Sequence, residues 1–165
     1  YVYLFGSKLI YCFLFILLPL IVLNIKWWQL CVGFVVMHIA QGFTMGLVFQ
    51  LAHVVEDTAF PKVGINGAME EAWAEHQMRT TANFSGQSSI VTFFLGGLNR
   101  QIEHHLFPGV CHVHYRDLSL IVKQTAAEYG LPYIENPTFF HALSSHYRLL
   151  KFFAVTECPR SKFSA

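Results

Sequence analysis

A chain of 165 residues normally makes one domain, but this one is 54 % hydrophobic and only 13 % charged, with 16 phenylalanines. Its mean hydropathy of +0.42 points to membrane spans rather than an ordinary soluble core. A formal net charge of +1 gives no basis for electrostatic binding of nucleic acid. Cys12, Cys31, Cys111 and Cys158 form no C-x-x-C pair and are read as free thiols in a reduced or membrane-buried setting. The chain starts at Tyr1 without the basic region and cleavage site of a signal peptide, and is read as the carboxyl-terminal part of something longer.

Leu9 to Ile25 is almost wholly apolar, with Pro19 inside it. As a helix it reaches about 26 Å, slightly short of a ~30 Å hydrocarbon core. Tyr1 to Phe5 can extend it, with Lys8 snorkelling or facing protein. A buried soluble helix is the alternative. Asn24, Lys26, Trp27 and Trp28 mark a short polar and aromatic turn at a membrane interface. Leu30 to Ala52 predicts a second span, which carries His38, Gln41 and Gln50 and is followed by His53. Polar side chains in a span usually face a bundle interior or a cavity. Gln50 and His53 share a face near its end, whereas His38 lies about 22 Å earlier along a helix and is read as packed or tunnel-lining.

Residues 56–89 are the most polar stretch and belong outside lipid, with Pro61, Gly64 and Gly67 breaking their start. The pattern predicts an amphipathic helix from Ala68 to Met78, with Met69, Ala72, Trp73 and His76 on one side. Glu70, Glu71 and Glu75 fall largely on the other, most simply as a solvated face. Ile90 to Leu98 is apolar and ends at Gly96-Gly97, where a break or a close backbone approach fits. Asn99 is either a group orienting a ligand histidine or an ordinary cap. His112 and His114 share a face only in an extended segment and are assigned to the surface.

Asp117 is expected to cap a helix from Leu118 to Tyr129, stopped by Gly130 and Pro132, with Leu118, Ile121, Val122, Thr125 and Tyr129 buried. Asn136-Pro137 predicts the start of another, carrying Phe139, Phe140, Leu143, Tyr147, Leu150 and Phe153. With Arg148 and Lys151 alongside, this helix either lies on a membrane surface or packs on the rest of the domain. Pro159 to Ala165 is expected to be a loose tail.

The stretch that carries chemistry runs from Gln101 through Ile102, Glu103, His104, His105, Leu106 and Phe107 to Pro108. On a helix Gln101, His104 and His105 stand at i, i+3 and i+4 and so share one face. Pro108 biases Phe107 away from helical angles, which places the histidines in the last turn. Imidazole suits zinc, copper, iron and nickel. A solvated surface dipeptide is the bland reading of two adjacent histidines.

Gln-x-x-His-His followed by Leu-Phe-Pro resembles the third histidine box of membrane fatty acid desaturases. The Gln in place of the first His is similar to the front-end group, of delta-5/delta-6, linoleoyl-CoA desaturase-like type. The resemblance extends to Trp73, Gln77, Thr81 and Asn83, to Gly97-Leu98-Asn99, to the run from Leu118 to Gly130 and to Leu131-Pro132-Tyr133. It implies an all-α integral membrane protein: a transmembrane helical hairpin over 1–53, then a cytosolic or interfacial helical cap over 54–165 that carries the box. Together these are a fragment of one larger desaturase domain. It further implies that His53, His104 and His105 bind iron, with Gln101 at the metal, on a metal-bound water or hydrogen-bonded to a ligand histidine. Asn99 and Gln50 stand behind them as supporting groups.

The implied activity is introduction of a cis double bond into an acyl chain, using O₂, two electrons and two non-haem iron ions. The implied partners are the lipid bilayer, a fatty acyl substrate (acyl-CoA or acyl-lipid) and an electron donor such as cytochrome b5 or ferredoxin. The active site is expected on the cytoplasmic side of a multi-pass membrane protein. No two of the nine histidines have H-x-x-x-H spacing, so two of the family's three boxes are absent and the fragment alone is expected to be inactive. A related membrane di-iron lipid hydroxylase and a non-catalytic truncated scaffold are the alternatives.

Overall fold

The computed structural model describes residues 1–62, 64, 67, 69 and 71–155; Ala68, Glu70, Cys158 and the tail expected from Pro159 lie outside them. The chain divides into two compact units, the first Tyr1–Gly46 and the second beginning at Leu47.

The apolar amino-terminal run winds into a rod, Val2–Val22. It consists of α1 (Val2–Cys12), a π-helical stretch (Phe13–Leu17) and α2 (Leu18–Val22). Pro19 accounts for the π stretch. It has no N–H for the Phe15 carbonyl and its ring crowds that turn, so the ladder widens and Leu18 N–H bonds the Phe13 carbonyl. The rod stops short of the expected Ile25 because Leu23 is already extended. Helix α3 (Trp27–His53) begins earlier than expected, so both tryptophans are helical rather than part of the turn. The Gln29 side chain accepts a hydrogen bond from Lys26 N at 2.9 Å and fixes that start.

At about 40 Å, α3 exceeds a ~30 Å hydrocarbon core. Both rods are long and apolar enough to cross a membrane. The share of their apolar windows that is buried is 0 % and 6 %, unlike the buried soluble helix weighed as an alternative. Inside the first unit they meet where Tyr11 Oη and His38 Nε2 lie 2.8 Å apart, with the Phe34 ring against His38. Among the described residues Cys12, Cys31 and Cys111 are free thiols.

The second unit is built around the end of α3. Val48, Leu51 and Ala52 pack with Phe84 and Ala142 in one buried cluster; Met78, Ile102, Val122 and Ala126 form another. Helix α4 (Trp73–Thr80) starts later than the expected Ala68, because Ala72 is extended and serves as its amino-terminal cap residue. Glu75 pairs with Arg79 one turn on, at 2.9 Å. Strand β1 (Asn83–Phe84) pairs in parallel with β2 (Glu135–Asn136), Asn83 opposite Glu135, a small departure from an all-helical chain. Helix α5 (Ser89–Phe94) is capped by Ser88 Oγ, and Gly96 and Gly97 then take φ of 56° and 81°. A Cβ at Gly97 would stand 2.6 Å from His112 Cβ, so the close approach expected there is real.

Helix α6 (Gln101–Leu106) carries the histidines and ends at Phe107, as Pro108 dictates. His112–His114 form a 3-10 turn that winds directly into α7 (Tyr115–Glu128). Asp117 is therefore not the cap but lies in the first turn, where its charge favours the positive helix end. The buried face of α7 is Tyr115, Ser119, Val122 and Ala126, while the expected Ile121, Thr125 and Tyr129 are exposed.

Helix α8 (Phe139–Val155) begins after Pro137, with the Thr138 hydroxyl, not Asn136, accepting from His141 N. Asn136 Oδ1 instead lies 2.8 Å from His141 Nδ1. The buried stripe of α8 is Ala142, Ser145 and Leu149, and Phe140 and Tyr147 face outward. Small residues allow a close approach to the chain that leaves α3: Ser145 Oγ accepts from Glu56 N at 3.0 Å, and His146 Nδ1 meets the Val54 carbonyl at 2.7 Å.

Candidate metal centre

Inside the second unit three histidines are linked by ring contacts through His105. His53 closes α3, and His104 and His105 occupy the last turn of α6. The His105 ring is 5.1 Å from that of His53 and 5.8 Å from that of His104, both edge to face. The predicted helical spacing is present, and the tertiary fold adds the third imidazole from a distant helix.

Hydrogen bonds orient these rings. His53 Nδ1 lies 3.2 Å from the Thr80 carbonyl, which can only accept. The neutral ring therefore carries its proton on Nδ1 and presents a lone pair at Nε2. His104 Nδ1 lies 3.2 Å from Tyr115 Oη, leaving its Nε2 equally open. Burial first, then Cys111 and Glu103, push the Tyr115 phenol up, so it stays protonated. Burial, and then the neighbouring His53 and His104, lower His105 and favour its neutral form. Neutral imidazole is the form that binds a metal.

Gln101 is 2 % exposed and shares the face of the two histidines. Its Nε2 lies 3.4 Å from His105 Nε2, a long contact, and its Oε1 is buried with no hydrogen-bond partner among the described residues. Buried oxygens are rarely left unsatisfied, and a cation or a bound water is what such an atom lacks. Three imidazoles and an amide oxygen are a suitable donor set for part of an iron site. Their geometry does not gather them around one ion: among the described residues no group of three or more His, Cys, Asp or Glu is arranged to hold a metal.

The remaining expected residues stand apart. Asn99 is fully buried, but its Nδ2 donates to the Ser85 carbonyl and to Thr92 Oγ1, not to a histidine. Gln50 is exposed, and among the described residues no hydrogen bond joins it to the histidines. His76 sits 3.6 Å from Glu71 and lines an open cavity beside His53 and Thr80. An apolar cavity of about 310 Å³ lies between α4, the end of α6 and α7, lined by Trp73, Met78, Leu106, Phe107, Val122 and Tyr129.

Sequence reasoning missed the supports. Glu103 is fully buried and turned away from the histidine face. Its two oxygens accept from Tyr133 Oη and Asn83 Nδ2, each at 2.8 Å. Asn83 Oδ1 in turn accepts from Ile102 N at 2.9 Å, capping α6 from another segment where Arg100 offers no side-chain cap. The available signal was a lone carboxylate within an apolar, histidine-bearing helix, which requires buried partners.

The fatty acid desaturase family profile matches residues 3–137. The chain is 41 % identical over 153 residues to an acyl-lipid (8-3)-desaturase of Physcomitrium patens, covering 93 % of this chain and 32 % of that protein. It is 42 % identical over 124 residues to an sn-1 linoleoyl-lipid 6-desaturase of Synechocystis sp., covering 74 % and 34 %. An acyl-lipid (8-3)-desaturase of Mortierella alpina is 34 % identical over 146 residues, covering 88 % and 32 %. The chain thus spans about a third of the length of these curated relatives. No solved structure matches it. A family match over most of its length makes this chain a member of the fatty acid desaturase family.

Proposed function

We infer that this chain is the carboxyl-terminal part of a membrane di-iron front-end desaturase acting on a lipid-linked acyl chain. The observation that carries the reading is the meeting of His53 with His105 at 5.1 Å, beside an orphaned buried amide oxygen on Gln101. His53, His104 and His105 would hold iron through imidazole nitrogens, and Gln101 would serve directly or through a water. Such a centre, when bound, supplies O₂-dependent removal of hydrogen from an unactivated methylene. The rest of the site comes from outside these residues.

The chain's own groups keep that site in order. The Thr80 carbonyl and the Tyr115 hydroxyl fix the His53 and His104 rings, and burial keeps His105 neutral. The apolar cavity beside Leu106 and Phe107 offers an acyl chain a dry surface next to the histidine helix. Two electrons would come from a donor such as cytochrome b5 or ferredoxin. The names of the relatives favour an acyl-lipid over an acyl-CoA substrate.

The test is His105→Ala in the full-length protein, with iron content and product formation measured together. Loss of both at unchanged membrane abundance supports the reading, and unchanged product removes it. The cytoplasmic placement of the site is tested in sealed, oriented vesicles. With the other native cysteines removed, exposed Cys111 and an Asn24→Cys label should react from opposite faces, Cys111 from the cytoplasmic one. Reaction of both from one face refutes the two-span arrangement.

A further inference from the structure

We propose that Asn83, Glu103 and Tyr133 form a buried positioning hub that sets the approach of His105 to His53. The proposal rests on the metal-site reading above.

Three segments meet at Asn83. Its Nδ2 donates both to Glu103 Oε2 and to Tyr133 Oη, each at 2.8 Å. Its Oδ1 accepts from Ile102 N at 2.9 Å, and its own N–H bonds the Ile134 carbonyl at 2.9 Å. On either side of it, Ala82 N donates to the Ala52 carbonyl at 2.7 Å and Phe84 N to the Asn99 carbonyl at 2.9 Å. One short strand thus grips the residue before His53 and the residues that open the histidine helix. Tyr133 Oη closes the triangle by donating to Glu103 Oε1 at 2.8 Å.

The geometry separates two jobs on one helix. Gln101 and His105 occupy one side of α6, while Glu103, two residues from each, lies on the opposite side and is bonded there to Asn83 and Tyr133. Glu103 fixes the rotation of the helix because its carboxyl has donors at only one angular setting. A buried carboxyl that lost them would carry a large desolvation cost, so the setting is stiff. Rotation of α6 moves His105 relative to His53, which is held separately by the Thr80 carbonyl.

The test uses the full-length protein with Asn83→Leu, Glu103→Gln and Tyr133→Phe. Leu149→Ala is the control, a loss from the buried face of α8. Iron affinity and thermal midpoint are measured for each. A second readout needs no iron: in a His53→Cys, His105→Cys pair, bridging by Cd²⁺ reports how closely the two positions meet. The hub predicts that iron affinity falls ~10–100-fold in Asn83→Leu, with a parallel fall in bridging. Glu103→Gln, which keeps one acceptor, should fall less. Leu149→Ala should lower the midpoint and leave both readouts unchanged. If Asn83→Leu does not fold, Tyr133→Phe, which removes a single hydroxyl, decides. Unchanged iron binding and bridging in a folded hub variant overturn the proposal. Equal losses in Leu149→Ala at an equal midpoint do so too, since the effect is then only stability. Absence of iron from the parent protein would sink the metal reading alone, and bridging would still decide the hub.

Discussion

His53 and His105 stand on different helices, yet their rings meet edge to face with centroids 5.1 Å apart. Each has its own restraint: His53 is tied to the Thr80 carbonyl, and His105 moves with α6. His104 is tied in the same way to Tyr115. Tyr115→Phe deletes that bond and frees the His104 ring to turn. Iron affinity in the full-length protein should fall ~10-fold while the core packing of the ring is kept. His104→Ala should abolish both iron loading and product. Metal analysis of the two variants checks the order, and equal iron in Tyr115→Phe and the parent would show that the hydroxyl does not orient the ligand.

Gly97 answers to two constraints at once. Its φ of 81° disfavours any side chain, and a Cβ there meets His112 at 2.6 Å. Gly97→Ala should cost about 1–3 kcal/mol of stability. Gly109→Ala, with open space around the new atom and no positive φ, should be nearly neutral. Thermal midpoints of the two variants in detergent make the comparison.

The placing of Gln101, His104 and His105 on one short helix was legible because they lie within five residues, where helical spacing alone decides which side chains share a face. The two apolar rods were legible for a similar reason, from length and composition. Their ends were not, because Leu23 and the Lys26–Gln29 bond set them locally. The packing of α8 was hidden because its buried stripe is Ala142, Ser145 and Leu149, whereas hydrophobicity pointed to Phe140 and Tyr147. The support of α6 was hidden because Asn83, Glu103 and Tyr133 are brought together only by the tertiary fold.

Arg148 and Glu56 tie α8 to the segment after His53, at 2.7 Å. Hydrogen bonding from Arg148 is the main cause that holds the Glu56 carboxyl below its ordinary 4.5. A carboxyl lowered in the folded chain contributes stability that is fully present above the unfolded value and is lost as pH falls through the folded one. The pair is open to solvent, so its contribution is small and screened by salt. Arg148→Met should therefore lower the midpoint slightly at neutral pH. The gap from the parent should close as pH is taken below 4.5. A gap that is independent of pH would assign the loss to packing of the arginine stem instead.

Gln101 is the point where this box departs from three histidines, and its surroundings sharpen the question. Its amide is 2 % exposed, with Oε1 unpartnered among the described residues and Nε2 at 3.4 Å from His105. An amide oxygen is a weaker iron donor than an imidazole, so a direct role would tune the centre rather than secure it. A supporting role would instead hold His105 through the amide nitrogen. The two roles separate on replacement. If Oε1 reaches the metal directly, Gln101→His in the full-length protein should retain iron and part of the activity, while Gln101→Leu loses both. If the amide only supports His105, His should fit no better than Leu, and iron should remain in each with reduced product. Iron content and product formation for the two variants distinguish these outcomes. Full activity in Gln101→Leu would remove both roles and leave the buried oxygen as an unsatisfied group without function.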